Sequence, residues 1–154
     1  MSNRVNVDQL LTEFRSAAET AGFTVECYGE AFGTPLLVGT RLGDGSQAPK
    51  DIYASSGIHG DEPASPLAMI ELLRSDALPR ARNCTVCPCM NPAGLTAGTR
   101  ENPDNIDSNC DFTDFVSDEI RIHRAWVDAH VHSLDLAIHL HKNWEATAAL
   151  RLGL

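Results

Sequence analysis

The chain has 154 residues, 43% of them hydrophobic, and its 12 lysines and arginines against 21 aspartates and glutamates leave a formal net charge of -9 at pH 7. That length fits one domain, no run approaches the roughly 18 apolar residues of a membrane span, and an acidic chain without a basic patch lacks the footprint of a nucleic-acid binder. A small-molecule or peptide substrate is the expected partner. Met1 to Leu11 shows no charged segment followed by an apolar one, so a secretory signal is not expected and a cytoplasmic location is. The 5 cysteines are odd in number. Cys84, Cys87 and Cys89 crowd into one strand-like run with no second pair at ligand spacing, which favours buried reduced thiols over a disulfide framework or a structural zinc.

Val7, Leu10, Leu11, Phe14, Ala17, Ala18 and Ala21 recur at helical spacing before Gly22, predicting an amphipathic helix over 7–21. Thr24 to Tyr28 and Pro35 to Leu42 are strand-like and separated by Gly29 and Gly33, so a hairpin or meander at a sheet edge is expected, followed by a turn at Gly43 to Ser46. From Ile52 the pattern becomes strand, loop, helix, repeated. Ile52 to Ser55 is a strand, Pro63 opens a helix that runs through Arg74 and is closed by Pro79, and Cys84 to Met90 is the next strand. That run ends at Asn91-Pro92-Ala93-Gly94, after which a polar stretch reaching Asp111 has no apolar period and is taken as a long functional loop. Ser117 caps a further helix with Asp118 and Glu119 in its first turn, on which His123, His130 and the nearby His132 are expected as solvated residues, and Leu134 to Leu140 is a third strand.

Strands alternating with helices imply a mixed, mainly parallel α/β sheet flanked by helices, whose ligands bind beyond the carboxyl ends of the strands. Three strands end in polar clusters: His59 and Glu62 after the first, Asn91 to Cys110 after the second, His141 after the third. His59 and Glu62 are three apart, so both can face one point, and two imidazoles with one carboxylate form the ligand set of a catalytic zinc that keeps a position open. His139, two residues before His141 on the same strand face, is an alternative ligand.

The strings Gly57-Ile58-His59-Gly60-Asp61-Glu62-Pro63, Asn91-Pro92-Ala93-Gly94, Ala97-Gly98-Thr99-Arg100-Glu101-Asn102, Ile106-Asp107-Ser108-Asn109-Cys110-Asp111-Phe112 and Leu140-His141-Lys142-Asn143-Trp144-Glu145 resemble, in order, the motifs of the zinc carboxypeptidase family. They are closest to its succinylglutamate desuccinylase and aspartoacylase branch. The resemblance implies a zinc hydrolase that cleaves an amide bond of a peptide or an N-acyl amino acid. It makes His59, Glu62 and His141 the ligands of one Zn2+, Arg100 the group that polarises the scissile carbonyl, and Asn109, with Arg100, a contact to the substrate's carboxylate.

Three departures accompany the match. Cys110 stands where the family has an arginine, so a bidentate guanidinium is replaced by a neutral thiol. Lys142-Asn143 follows His141 where the family has acidic residues. The family's catalytic glutamate lies in a later segment, so residues 1–154 are expected to be the N-terminal portion of a catalytic domain: 1–50 helix and edge strands, 51–146 metal-site core, 147–154 an atypical tail. Asp61 and Glu145 are the nearby carboxylates that would have to serve as general base. Without the later segment, Leu134 to Leu140 would be left with an unpaired edge, a route to self-association. The alternative function is a non-catalytic homologue that at most binds metal.

Overall fold

The structure is a computed structural model, described for residues 5–45 and 51–142 and for the backbone of 149–153. Helix α1 spans Val7–Thr20, capped by the Asn6 side chain, which accepts from the Gln9 N–H at 3.0 Å, and it buries Val7, Leu10, Leu11, Phe14, Ala17 and Ala18 along one stripe. Strands β1 (Thr24–Ala31) and β2 (Thr34–Arg41) form the expected antiparallel hairpin. Its turn places Phe32 at φ 51° and Gly33 at φ 72°, the left-handed pair that suits the twist of a two-residue connection.

Strand β3 is Asp51–Ser56, α2 is Ala64–Arg74, β4 is Asn83–Cys87, α3 is Pro92–Ala97, α4 is Asp118–His130, β5 is Leu134–His141 and β6 is Ala149–Gly153. The sheet runs β1-β2-β4-β3-β5-β6. Parallel pairing holds at the centre, β4-β3-β5, while β1-β2, β2-β4 and β5-β6 pair antiparallel. The centre is parallel because helical crossovers separate its strands, and the flanks add hairpin-like neighbours. The expectation of an unpaired β5 edge is corrected: β6, drawn from the tail, pairs with it from Ala137↔Gly153 to His141↔Ala149. Glu145 and the rest of 143–148 lie outside the described residues, so the expectation of Glu145 as a base lies outside them too.

Three other boundaries move for physical reasons. β4 stops at Cys87 rather than Met90, since Pro88 has no N–H for the ladder. α2 ends at Arg74, ahead of Pro79, where Asp76 turns left-handed at φ 49°. Asn91 caps a short helix that runs into the start of the stretch expected as loop, its side chain accepting from the Gly94 N–H, with Pro92 at the first turn and Gly98 at φ 73° closing it.

Alternation along the strands divides the core. Leu37, Ile52, Ala54, Cys84 and Val86 face one way and pack with α1 and α2 around Phe14, Met69 and Ile70. Val38, Tyr53 and Cys87 face the other way, towards Trp126 of α4. The buried cysteines are the free thiols expected, and burial pushes Cys87 and Cys89 up to about 12. α4 lies so close to β1 that a Cβ at Gly29 would meet Ile122 Cγ2 at 2.4 Å.

His123 is the main departure on this face. Expected in solvent, it is 3% exposed, with Nδ1 3.0 Å from the Tyr28 hydroxyl and Nε2 2.7 Å from that of Tyr53. Two phenols satisfy both ring nitrogens, so the polar ring is buried without an orphaned group. His130 and His132 are exposed as expected, His130 stacking on Trp126. No helix among the described residues is long and apolar enough to cross a membrane.

Candidate metal centre

The carboxyl ends of β3 and β5 lie side by side, Ser55 opposite His139 and Ser56 opposite Leu140, so the loop after β3 and the end of β5 meet. Gly57 leaves the strand at φ 63°, where an added Cβ would come within 3.0 Å of Cys89 Sγ, and the chain turns into His59. Gly60 then presses on α3: a Cβ there would stand 2.0 Å from the Gly94 carbonyl carbon and 2.3 Å from the Leu95 nitrogen. Because those are backbone atoms that cannot step aside, Gly60→Ala is expected to lower stability by about 1 to 3 kcal/mol. Chemical denaturation of the variant beside the parent checks it.

Glu62, 7% exposed, stands between two imidazoles. Its Oε1 is 2.9 Å from His59 Nδ1, its Oε2 is 3.4 Å from His141 Nδ1, and Oε2 also accepts from the Lys142 N–H at 2.9 Å. One ligand atom from each of His59, Glu62 and His141 lies within 4.8 Å of the others. Side-chain nitrogens converging on a buried carboxylate are the donor chemistry of a zinc site, so these residues fit the ion. His139 is turned to other work. Its Nδ1 is 2.7 Å from the Ser55 hydroxyl, and burial, followed by the charge of His141, lowers its pKa.

Around this trio the loop after α3 folds back. Asp107 Oδ1 stands 3.3 Å from His59 Nε2 and accepts the N–H groups of Asn109 and Cys110, while Oδ2 accepts Arg100 Nε at 3.0 Å. His59 Nε2 is buried without a well-aligned hydrogen bond, the Asp107 contact being electrostatic in that geometry. Burial raises the Asp107 carboxyl, but the Arg100 guanidinium and the two N–H donors outweigh it and hold the pKa below the usual carboxylate range. A carboxylate facing the outer nitrogen of a metal-ligating histidine orients the ring and raises its basicity. The sequence reading gave Asp107 no role, although it lies in the same motif as Asn109. The usable signal was chemical, a ligand histidine needing an acceptor for its second N–H.

The expected residues therefore separate by place. His59, Glu62 and His141 converge, and Arg100 reaches His59 through Asp107 with 43% of its side chain exposed. Asn109 is exposed and contributes its backbone N–H to Asp107. Cys110, also exposed, opens a short 3-10 turn, Cys110–Phe112.

No protein-family model and no curated protein matches the sequence. Solved structures do. A candidate metallopeptidase of Shewanella denitrificans superposes with a TM-score of 0.74 at 25% identity, over 90% of this chain and 53% of its own. A metallo-carboxypeptidase of Burkholderia cenocepacia gives a TM-score of 0.74 at 18% identity, over 86% of this chain and 40% of its own. One from Pseudomonas aeruginosa, solved with (2-guanidinoethylmercapto)succinic acid, gives 0.69 at 19%, over 85% and 39%. The chain spans about half the length of the first of these and less of the others. Its α/β architecture, a mixed sheet flanked by helices, is the fold of these metallocarboxypeptidases.

Proposed function

We propose that the chain belongs to a zinc-dependent hydrolase of the metallocarboxypeptidase and deacylase type that cleaves an amide bond of a peptide or an N-acyl amino acid. The observation that carries this reading is the buried Glu62 carboxylate lying between the Nδ1 atoms of His59 and His141 at the ends of β3 and β5. These three residues would hold the ion, which when bound supplies Lewis acidity towards a carbonyl. Asp107 keeps the His59 ring in its tautomer and anchors Arg100 by Nε. The half-exposed guanidinium is then aimed by one fixed hydrogen bond, the preorganisation that makes a cation effective against a developing oxyanion. Asn109, whose backbone N–H donates to the same Asp107 carboxylate, is the proposed contact to the substrate's carboxylate. Support for a carboxylate-bearing substrate comes from the (2-guanidinoethylmercapto)succinic acid with which the Pseudomonas enzyme was solved. The desuccinylase and aspartoacylase branch rests on the motifs alone.

A second reading, a metal-binding homologue without turnover, is favoured by Cys110. A neutral thiol at that position removes one bidentate grip on a carboxylate. Zinc content measured beside hydrolysis of a panel of N-acyl amino acids and small peptides separates the two. One zinc per chain with turnover supports the hydrolase, and one zinc without turnover supports the second reading. A chain that takes up no zinc overturns both.

A further inference from the structure

Glu119, in the first turn of α4, is 1% exposed and is not one of the three converging residues. Burying a carboxylate costs several kcal/mol unless partners replace its water, so such a residue calls for a reason. Its partners are two neutral donors. Oε1 accepts Asn102 Nδ2 at 2.9 Å and the Ser108 hydroxyl at 3.0 Å, whereas Oε2 is buried without a hydrogen bond. Asn102 and Ser108 are themselves buried, 3% and 0% exposed.

Those two residues bracket the loop that meets His59. Asn102 Oδ1 accepts the N–H groups of Asp104 and Ile106, and the Asn102 N–H reaches the Ile106 carbonyl at 3.0 Å, which closes residues 102–106 into a ring with Asn105 left-handed at φ 59°. Asp107 follows Ile106 directly, and Ser108 follows Asp107. One carboxylate oxygen thus ties down both sides of Asp107, and Asp107 is the residue that touches His59 Nε2 and Arg100 Nε.

We infer that Glu119 is a positioning residue: by accepting from Asn102 and Ser108 at once, it holds the 99–112 loop in the shape that presents Asp107 to His59 and to Arg100. The inference rests on the proposed metal site for its effect on zinc, but not for its effect on the loop.

The distinguishing substitutions are Glu119→Gln and Glu119→Leu. Glutamine keeps an oxygen able to accept both donors and places an amide where Oε2 already lacks a partner. Leucine keeps the volume and strands Asn102 Nδ2 and the Ser108 hydroxyl in the core. Hydrogen exchange should show the Asn109 and Cys110 amides losing protection in Glu119→Leu and keeping it in Glu119→Gln, with α1 amides unchanged in both. Zinc affinity by calorimetry should fall about 10-fold or more for leucine and stay within about 3-fold for glutamine, the range expected of partners behind a ligand histidine. Unchanged exchange in Glu119→Leu, or equal loss in both variants, would overturn the inference. If Glu119→Leu does not fold, Ser108→Ala, which removes one of the two donors, must loosen the same amides, and failure to do so overturns it equally. Should the parent bind no zinc, the metal site falls while the exchange result still decides the role of Glu119.

Discussion

Alanine at His59 or at His141 is expected to weaken zinc binding more than about 100-fold, beyond the 10- to 100-fold that partners behind a ligand carry. In the proposed site each imidazole would supply one of three protein donors among the described residues, and Glu62 between them is buried at 7% exposure with its oxygens 2.9 Å from His59 and 3.4 Å from His141. Removing one ring leaves two donors, too few to displace most of a divalent ion's water. His139→Ala is the control. Its Nδ1 is engaged by Ser55, so the affinity change should stay within about 10-fold although it sits two residues from His141. Isothermal titration with zinc, with circular dichroism to verify folding, makes the comparison. Undiminished affinity in His59→Ala or His141→Ala, or a loss in His139→Ala as large as theirs, would remove the trio as the ligand set.

Acid should destabilise the chain well above the carboxylate range, through His123. Burial, and then the charge of His139, lowers its pKa from 6.5 to about 4. The ring is sandwiched between Tyr28 of β1 and Tyr53 of β3, phenols that burial pushes well above their ordinary value, so both remain neutral hydroxyls. A neutral imidazole donates to one and accepts from the other, whereas a protonated ring has no acceptor left. The folded pKa is below the unfolded one, so the unfolded chain binds more protons between them. Stability is complete above about pH 6.5 and falls as the pH drops towards 4, by about 3 kcal/mol over that window. Asp76, Asp107 and Asp111, all lowered from 3.8, lose their contributions only below that window. Urea denaturation at pH 7 and at pH 4.5 of the parent and of His123→Phe measures the effect, with His139 common to both. A parent and variant of equal acid sensitivity would show that His123 does not carry it.

In the described sheet β5 is paired on both sides and the outer strands are β1 and β6.

Periodicity alone located α1, because seven apolar positions at helical spacing leave one buried stripe whatever the partner. The same local logic found the β1-β2 hairpin, the central strands and α4, and the rule that ligands gather beyond parallel strand ends brought His59, Glu62 and His141 together before any coordinates. The helix, hairpin and strand readings depend on neighbours in sequence, whose spacing is itself the geometry, while His141, distant in sequence, was reached through the topology rule. Only the tertiary structure decided the rest. Six residues are too few to show a helical period, so α3 had only its capping residues to betray it. His123 and Glu119 are polar residues on a helix whose sequence suggests solvent, and they are buried because Tyr28, Tyr53, Asn102 and Ser108 arrive from distant segments to satisfy them. Asp107 acquires its place only when the loop closes over His59, and β6 pairs with β5 through backbone groups that every residue carries. Hydrogen bonds between distant segments leave no period along the chain, which is why the trio was legible in the sequence and the residues that orient it were not.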